Sequence, residues 1–181
     1  ASIGEVILSG GDPLSLSTPK LAELTTALAT IPHLRRLRIH TRLPVVLPGR
    51  IDGEFLDWFG ALPFQRVVVL HANHPHEIDD AVDLACAGLR EAGGTVLNQS
   101  VLLRAVNDDA DVLCALYERL FATQVLPYYL HQLDRVAGAA HFEVADARAL
   151  SLLETMRARL PGYLVPRLVR ELAGAAHKLP L

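Results

Sequence analysis

Short β-rich runs alternate with helix-period segments along nearly the whole chain, and polar residues stand where each run ends. The runs are Glu5–Ser9, Leu37–Thr41, Val67–His71, Val96–Leu102 and Leu126–His131. This alternation predicts βα units around a parallel sheet, and hence an α/β fold. The strand-end groups are Ser9-Gly10-Gly11-Asp12, His40-Thr41-Arg42, His71 with Asn73, Asn98-Gln99-Ser100, and His131 with Asp134. Spacing alone fits an open doubly wound sheet or part of a barrel. Five consecutive strands aiming polar groups at one rim favour the barrel, because an open sheet concentrates such groups at one switch point.

The intervening segments carry helix signals. Thr18-Pro19 supplies a cap and a first-turn proline, with Leu21, Leu24 and Leu28 on one predicted apolar face. Ile78, Val82, Ala85 and Leu89 form a second apolar stripe that stops at Gly93-Gly94. Further helices are expected over Asp52–Phe59, Asp109–Phe121 and Asp146–Leu160, the last with Leu150, Leu153 and Leu160 on one side.

With 181 residues, 51% hydrophobic and 20% charged, the chain can bury one sizeable core, and residues 1–181 are expected to form a single domain. A net charge of −3 gives no basic field for nucleic acid, and the cluster Arg35, Arg36, Arg38 and Arg42 is expected to be a solvated strand end. Cys86 and Cys114 are far apart in helix-like patterns, which supports neither a disulfide framework nor a CxxC metal site and suits a reducing, cytoplasmic setting. The apolar runs fall well short of the ~20 residues of a membrane helix, so no membrane partner is expected. Residues 1–6 carry no signal-peptide pattern, and Glu5-Val6-Ile7-Leu8 already reads as a buried strand, so the chain is expected to begin in mid-fold.

Several strand ends could carry chemistry. Gly10 and Gly11 permit unusual dihedrals and close approach of a ligand, with Asp12 adding a carboxylate; equally, Asp12 could cap a tight turn. His71, His74 and His76 could suggest a metal site, but the turn at Pro75 is expected to point their rings apart, leaving His71 as the pocket member. Gln99, inside an apolar strand, is expected to have a partner, either a protein group or a polar ligand. Asp134 could bind a substrate ammonium, cap its loop or pair with Arg135. Lys178 by position reads as a surface lysine, yet a small-residue loop returning it to the barrel mouth would suit Schiff-base chemistry.

Taken together, LSGGDPL, HTRLPVVLPGRI, HANHPHEID, LNQSVLLRAVND, PYYLHQLDRVAGAAHF, GYLVPRLVREL and HKLPL resemble, in order and spacing, the lysine 2,3-aminomutase family of radical SAM, pyridoxal phosphate-dependent enzymes. LHQLDRV-AGAAHF and YLVPRLVREL are most similar to the branch that makes (R)-β-lysine for modification of bacterial elongation factor P. The resemblance implies a partial (βα) TIM-like barrel of the radical SAM type lacking its N-terminal unit, with a lysine-bearing tail over about 162–181. It further implies an isomerase converting L-lysine to (R)-β-lysine, with S-adenosylmethionine, pyridoxal phosphate and a [4Fe–4S] cluster as cofactors. Elongation factor P and its lysyl ligase are the implied partners, with the oligomeric state open. Free-lysine 2,3-aminomutase and a non-catalytic half-barrel are the alternatives.

By the same resemblance, Ser9, Gly10, Gly11, Asp12, Arg42, His71 and Gln99 would lie on the adenosylmethionine side, with His131 in the place of an aromatic residue between the two cofactors. Lys178 would be the catalytic lysine that carries pyridoxal phosphate, and Asp134 and Glu171 would meet the substrate's side-chain ammonium. Glu171 stands where free-lysine enzymes have aspartate, and Ala173-Gly174-Ala175-Ala176-His177 lacks their glycine run, which favours the elongation-factor branch. The family's C-x3-C-x2-C motif, which holds the cluster, is absent, so no metal ligand is expected in this chain. The 181 residues are therefore expected to be a fragment, inactive alone.

Overall fold

A computed structural model describes residues 3–134, 136–172 and 174–181. Among the described residues, seven strands are hydrogen-bonded in chain order: β1 (Glu5–Leu8), β2 (Arg36–His40), β3 (Gln65–His71), β4 (Gly94–Val101), β5 (Leu126–His131), β6 (Arg167–Arg170) and β7 (Leu179–Pro180). The helices are α1 (Thr18–Ala29), α2 (Leu43–Val46), α3 (Gly53–Gly60), α4 (Asp80–Glu91), α5 (Ala110–Ala122) and α6 (Asp146–Arg159). Pairings β1–β2, β2–β3 and β5–β6 are parallel, whereas β7 runs antiparallel to β6. Chain-order parallel strands with intervening helices place the chain in the singly wound, TIM-like α/β class that the sequence predicts.

The chain divides into two compact units. One runs to His71 and includes Asp79–Leu97; the other comprises Ala72–Ile78 and Asn98–Leu181.

In the first unit the core forms between the strands and α1, α3 and α4. Leu37, Ile39, Val68, Val69 and Leu70 are buried on the strands, and Phe55 and Phe59 on α3 stack at 5.8 Å between ring centroids. Each such aromatic contributes ~1.5–3 kcal/mol by burial. On α1 the buried face is Thr18, Leu21 and Thr25, while Leu24 is 37% exposed, so the leucine stripe read from the sequence is only partly the packed face. Thr25 can sit inward because its hydroxyl donates to the Leu21 carbonyl at 2.9 Å and accepts from Trp58 Nε1 at 3.2 Å. The α4 stripe is buried as predicted, and the helix is followed by Gly93 at φ +82°.

In the second unit α5 buries Leu113, Leu116, Tyr117 and Leu120, and α6 buries Ala149, Leu152, Leu153 and Met156. Leu150 is 41% exposed, against expectation, because the inward stripe of α6 is set by the 149/152/153/156 spacing. Cys86 and Cys114 are both buried and unoxidised.

Candidate active site

In the first unit, the loop leaving β1 is shaped by its glycines and fastened by Asp12. Gly10 and Gly11 take φ of +82° and +60°, and a Cβ at either would meet nothing within 4 Å. Of the two expectations for Asp12, the turn cap is the one seen. Its Oδ1 accepts from Leu14 N at 3.1 Å, which caps the turn Pro13–Ser15, and from Thr41 Oγ1 at 2.7 Å; its Oδ2 accepts from Arg42 N at 2.6 Å. The carboxylate thus ties the glycine loop to the end of β2, and it holds a positive φ of 49°. An Asp12→Ala variant loses all three acceptors and is expected to be less stable by about 1–3 kcal/mol in urea titration, with Asp12→Asn losing less. Equal stability of parent and Asp12→Ala would contradict the clamp.

His71 ends β3. Burial, the Arg42 guanidinium and His40 together push its pKa down from 6.5 to about 4, so the ring is neutral at pH 7. Between pH 6.5 and 4 the unfolded chain binds the extra proton, so this contribution to stability is complete above about 6.5 and is lost as pH falls toward 4. The loss amounts to about 3 kcal/mol at most. Denaturation midpoints at pH 7 and pH 4 should show a smaller acid loss for His71→Gln than for the parent; the same loss in both would contradict it.

In the second unit, a polar network fixes the β3-to-α4 connection to β4. Asn98 Oδ1 accepts from Ala72 N at 2.9 Å, and its Nδ2 donates to Ala72 O at 3.1 Å and Ser100 Oγ at 3.0 Å. Asn73 Oδ1 accepts from Val101 N at 2.8 Å, and Asn107 Nδ2 donates to Asn73 O and Val101 O, both at 2.9 Å. Tyr117, fully buried against Ser100, has its phenol pKa raised by desolvation and remains protonated. His74 caps the turn Pro75–Glu77, and its ring meets that of His76 at 4.4 Å, so these two rings converge where sequence reading expects divergence. Among the described residues no three His, Cys, Asp or Glu side chains gather as a metal site.

Of the two partners expected for Gln99, no protein donor meets its buried Oε1 among the described residues. Around the end of β5, Lys178 Nζ lies in contact with the Glu171 carboxylate and 5.5 Å from the centre of the Tyr129 ring. Glu171 Oε1 is also 3.9 Å from His131 Nδ1, and the Tyr129 and His131 rings meet edge-on at 5.6 Å. The tail residues Glu171, Leu172, Ala175, His177 and Lys178 line a hollow of about 280 Å³. Asp134 lines a different one of about 260 Å³ with Leu133, Val136, Ala140 and Glu143, two carboxylates over apolar walls. The structure thus gathers Lys178, Glu171 and His131, and sets Asp134 in its own hollow. The proposed Asp134–Arg135 pair and the part of the tail loop at Ala173 lie outside the described residues.

Across 178 residues, 98% of the chain, the sequence is 51% identical to a Haemophilus influenzae protein named L-lysine 2,3-aminomutase, and it is 48% identical to the Escherichia coli protein of that name over 99% of the chain. The chain is homologous to the L-lysine 2,3-aminomutases. It spans about half the length of these relatives, 53% and 52% respectively. The backbone resembles a radical SAM methyltransferase from Sphaerobacter thermophilus with a TM-score of 0.65 at 18% identity, covering 94% of this chain and 52% of that one, a likeness of fold. No family model matches the chain.

Several residues of this aminomutase homologue hold the strand ends in place although sequence reading gave them no such role. Thr41 holds Asp12, and Asn107 closes the turn after β4 by accepting from Leu103 N at 2.7 Å. Gln132, 3% exposed, donates to Val144 O and Asp146 Oδ1, and Asp146 in turn pairs with Arg170. A glutamine between Leu130 and Leu133 is the one sequence signal that could have marked this buried link.

Proposed function

We propose that this chain contributes to a lysine 2,3-aminomutase, an isomerase that moves the amino group of L-lysine from the α- to the β-carbon. Identity of 51% across the chain to a protein of that name carries the reading. We further propose the elongation factor P branch, working in the cytoplasm with the factor and its lysyl ligase, on the strength of the sequence blocks quoted above and of Glu171 in the aspartate position.

The implied cofactors can be tried against the residues present. In the first unit, the open space above Gly10 and Gly11 suits the approach of S-adenosylmethionine to the loop backbone. A primary amine 5.5 Å from the centre of the Tyr129 ring suits pyridoxal phosphate. Two buried cysteines, Cys86 and Cys114, do not suit a [4Fe–4S] cluster, which needs three closely spaced thiolates, so no step is assigned to it within this chain. When bound, S-adenosylmethionine and pyridoxal phosphate would supply the radical and the π system that a 1,2-amino shift requires.

The chain's own residues bind and orient. Ser9, Gly10 and Gly11 offer backbone that a ligand can approach, while Asp12 fixes that loop. Arg42 brings positive charge, and neutral His71 can donate or accept one hydrogen bond. Gln99 presents an acceptor, His131 an imidazole 3.9 Å from Glu171 Oε1, and Asp134 and Glu171 carboxylates for an ammonium. To test the branch, elongation factor P is incubated with its ligase and L-lysine, with and without this protein. Modification at least about tenfold faster with it supports the branch; formation of β-lysine with no gain in modification would instead favour the free-lysine enzyme.

A further inference from the structure

We propose that Glu171 exchanges partners: it holds the Lys178 ammonium while the cofactor is absent, and is released to the side-chain ammonium of a diamino-acid substrate once Lys178 is bonded to a carbonyl carbon. The inference rests on the reading of Lys178 given above and adds a holding role to Glu171.

The two groups differ in how they are anchored. Glu171 directly follows β6, where Arg170 is tied through Asp146 to buried Gln132. Lys178 arrives by way of the left-handed turn at Gly174 and begins no regular structure longer than the two-residue β7. The carboxylate is therefore the fixed partner and the lysine the one delivered to it. With side chains 49% and 27% exposed, both can be reached by a ligand.

An ammonium nitrogen has no lone pair to attack a carbonyl carbon, and a carboxylate in contact stabilises that charged form. When Nζ does bond to a carbonyl carbon, two of its three protons leave with the carbonyl oxygen as water, and the third stays on nitrogen or passes to solvent. Nζ then keeps at most one N–H, turned toward the new bond, so Glu171 loses at least two of the three donors that the ammonium offered it. A half-exposed carboxylate beside an aromatic ring is then open to an incoming alkylammonium. The titratable groups facing this pair include Tyr129, His131 and His177.

The rate at which pyridoxal phosphate becomes attached to Lys178 tests the exchange, read by borohydride trapping and peptide mass. Near neutral pH, Glu171→Gln is expected to load about twofold to fivefold faster than the parent, the span of a partly exposed ion pair, with Glu171→Asp close to the parent. Toward pH 11 the difference closes, because the amine is then largely uncharged in every variant. For the substrate half, Glu171→Gln raises the KM for L-lysine more than it lowers kcat. Equal or slower loading by Glu171→Gln, or an unchanged KM, overturns the exchange while leaving Lys178 as the attachment point. No label on Lys178 in the parent overturns both readings.

Discussion

A Lys178→Ala variant is expected to lose borohydride-stable attachment of pyridoxal phosphate altogether and to turn over L-lysine at least about a thousandfold more slowly than the parent. The size of the effect follows from chemistry that no neighbour can supply. The sequence contains two lysines, Lys178 and Lys20. Lys20 lies exposed on α1, in the other compact unit, and serves as an internal control. Lys178→Arg separates charge from nucleophilicity, since a guanidinium can still pair with Glu171 but cannot form the bond to a carbonyl carbon. It should fold like the parent and remain unlabelled. Labelling that survives in Lys178→Ala, or that falls in Lys20→Ala, would contradict the assignment.

The second large effect is structural. Asn98→Ala is expected to lower stability by about 3 kcal/mol, roughly 6–12 °C in Tm for a chain of this size. Asn98 is fully buried and satisfies both the N–H and the C=O of Ala72, so its truncation leaves a buried donor unmatched and removes a contact of Ser100. Ser100→Ala removes one hydroxyl from the same network and should cost less, about 1 kcal/mol. Thermal unfolding of the three proteins checks the ranking; a fall below about 1 kcal/mol for Asn98→Ala would mean that the network does not fix the connection.

What the sequence made legible was whatever repeats or caps. β5 occupies the predicted Leu126–His131, and α3 and α5 start directly after Asp52 and Asp109, each of which accepts backbone N–H at its helix start. β6 and β7 escaped because Arg167-Leu168-Val169-Arg170 is too short to show alternation and β7 is two residues ending in proline. The packed face of α1 was misread because buried Thr25 is made acceptable by tertiary hydrogen bonds that no periodicity reveals.

The candidate site shows the same division. Gly10, Gly11 and Asp12 were visible as a strand-end loop, since positive φ and a capping carboxylate leave a local signature. Their attachment to Thr41, 29 residues away, left none. Lys178 alone reads as a surface amine; its contact with Glu171 arises only when β6 and β7 fold back on one another. For Gln99 the sequence leaves a protein partner and a polar ligand both open, and its Oε1 meets no donor among the described residues.

The protein carrying this chain is expected to move an amino group within lysine. L-lysine labelled with ¹⁵N at the α-amino group, incubated with the protein, S-adenosylmethionine, pyridoxal phosphate and a reduced [4Fe–4S] cluster, tests it by NMR. Transfer of the label to the β-carbon, abolished in Lys178→Ala, is the predicted result; label that stays on the α-carbon, or that leaves as free ammonia, would contradict it.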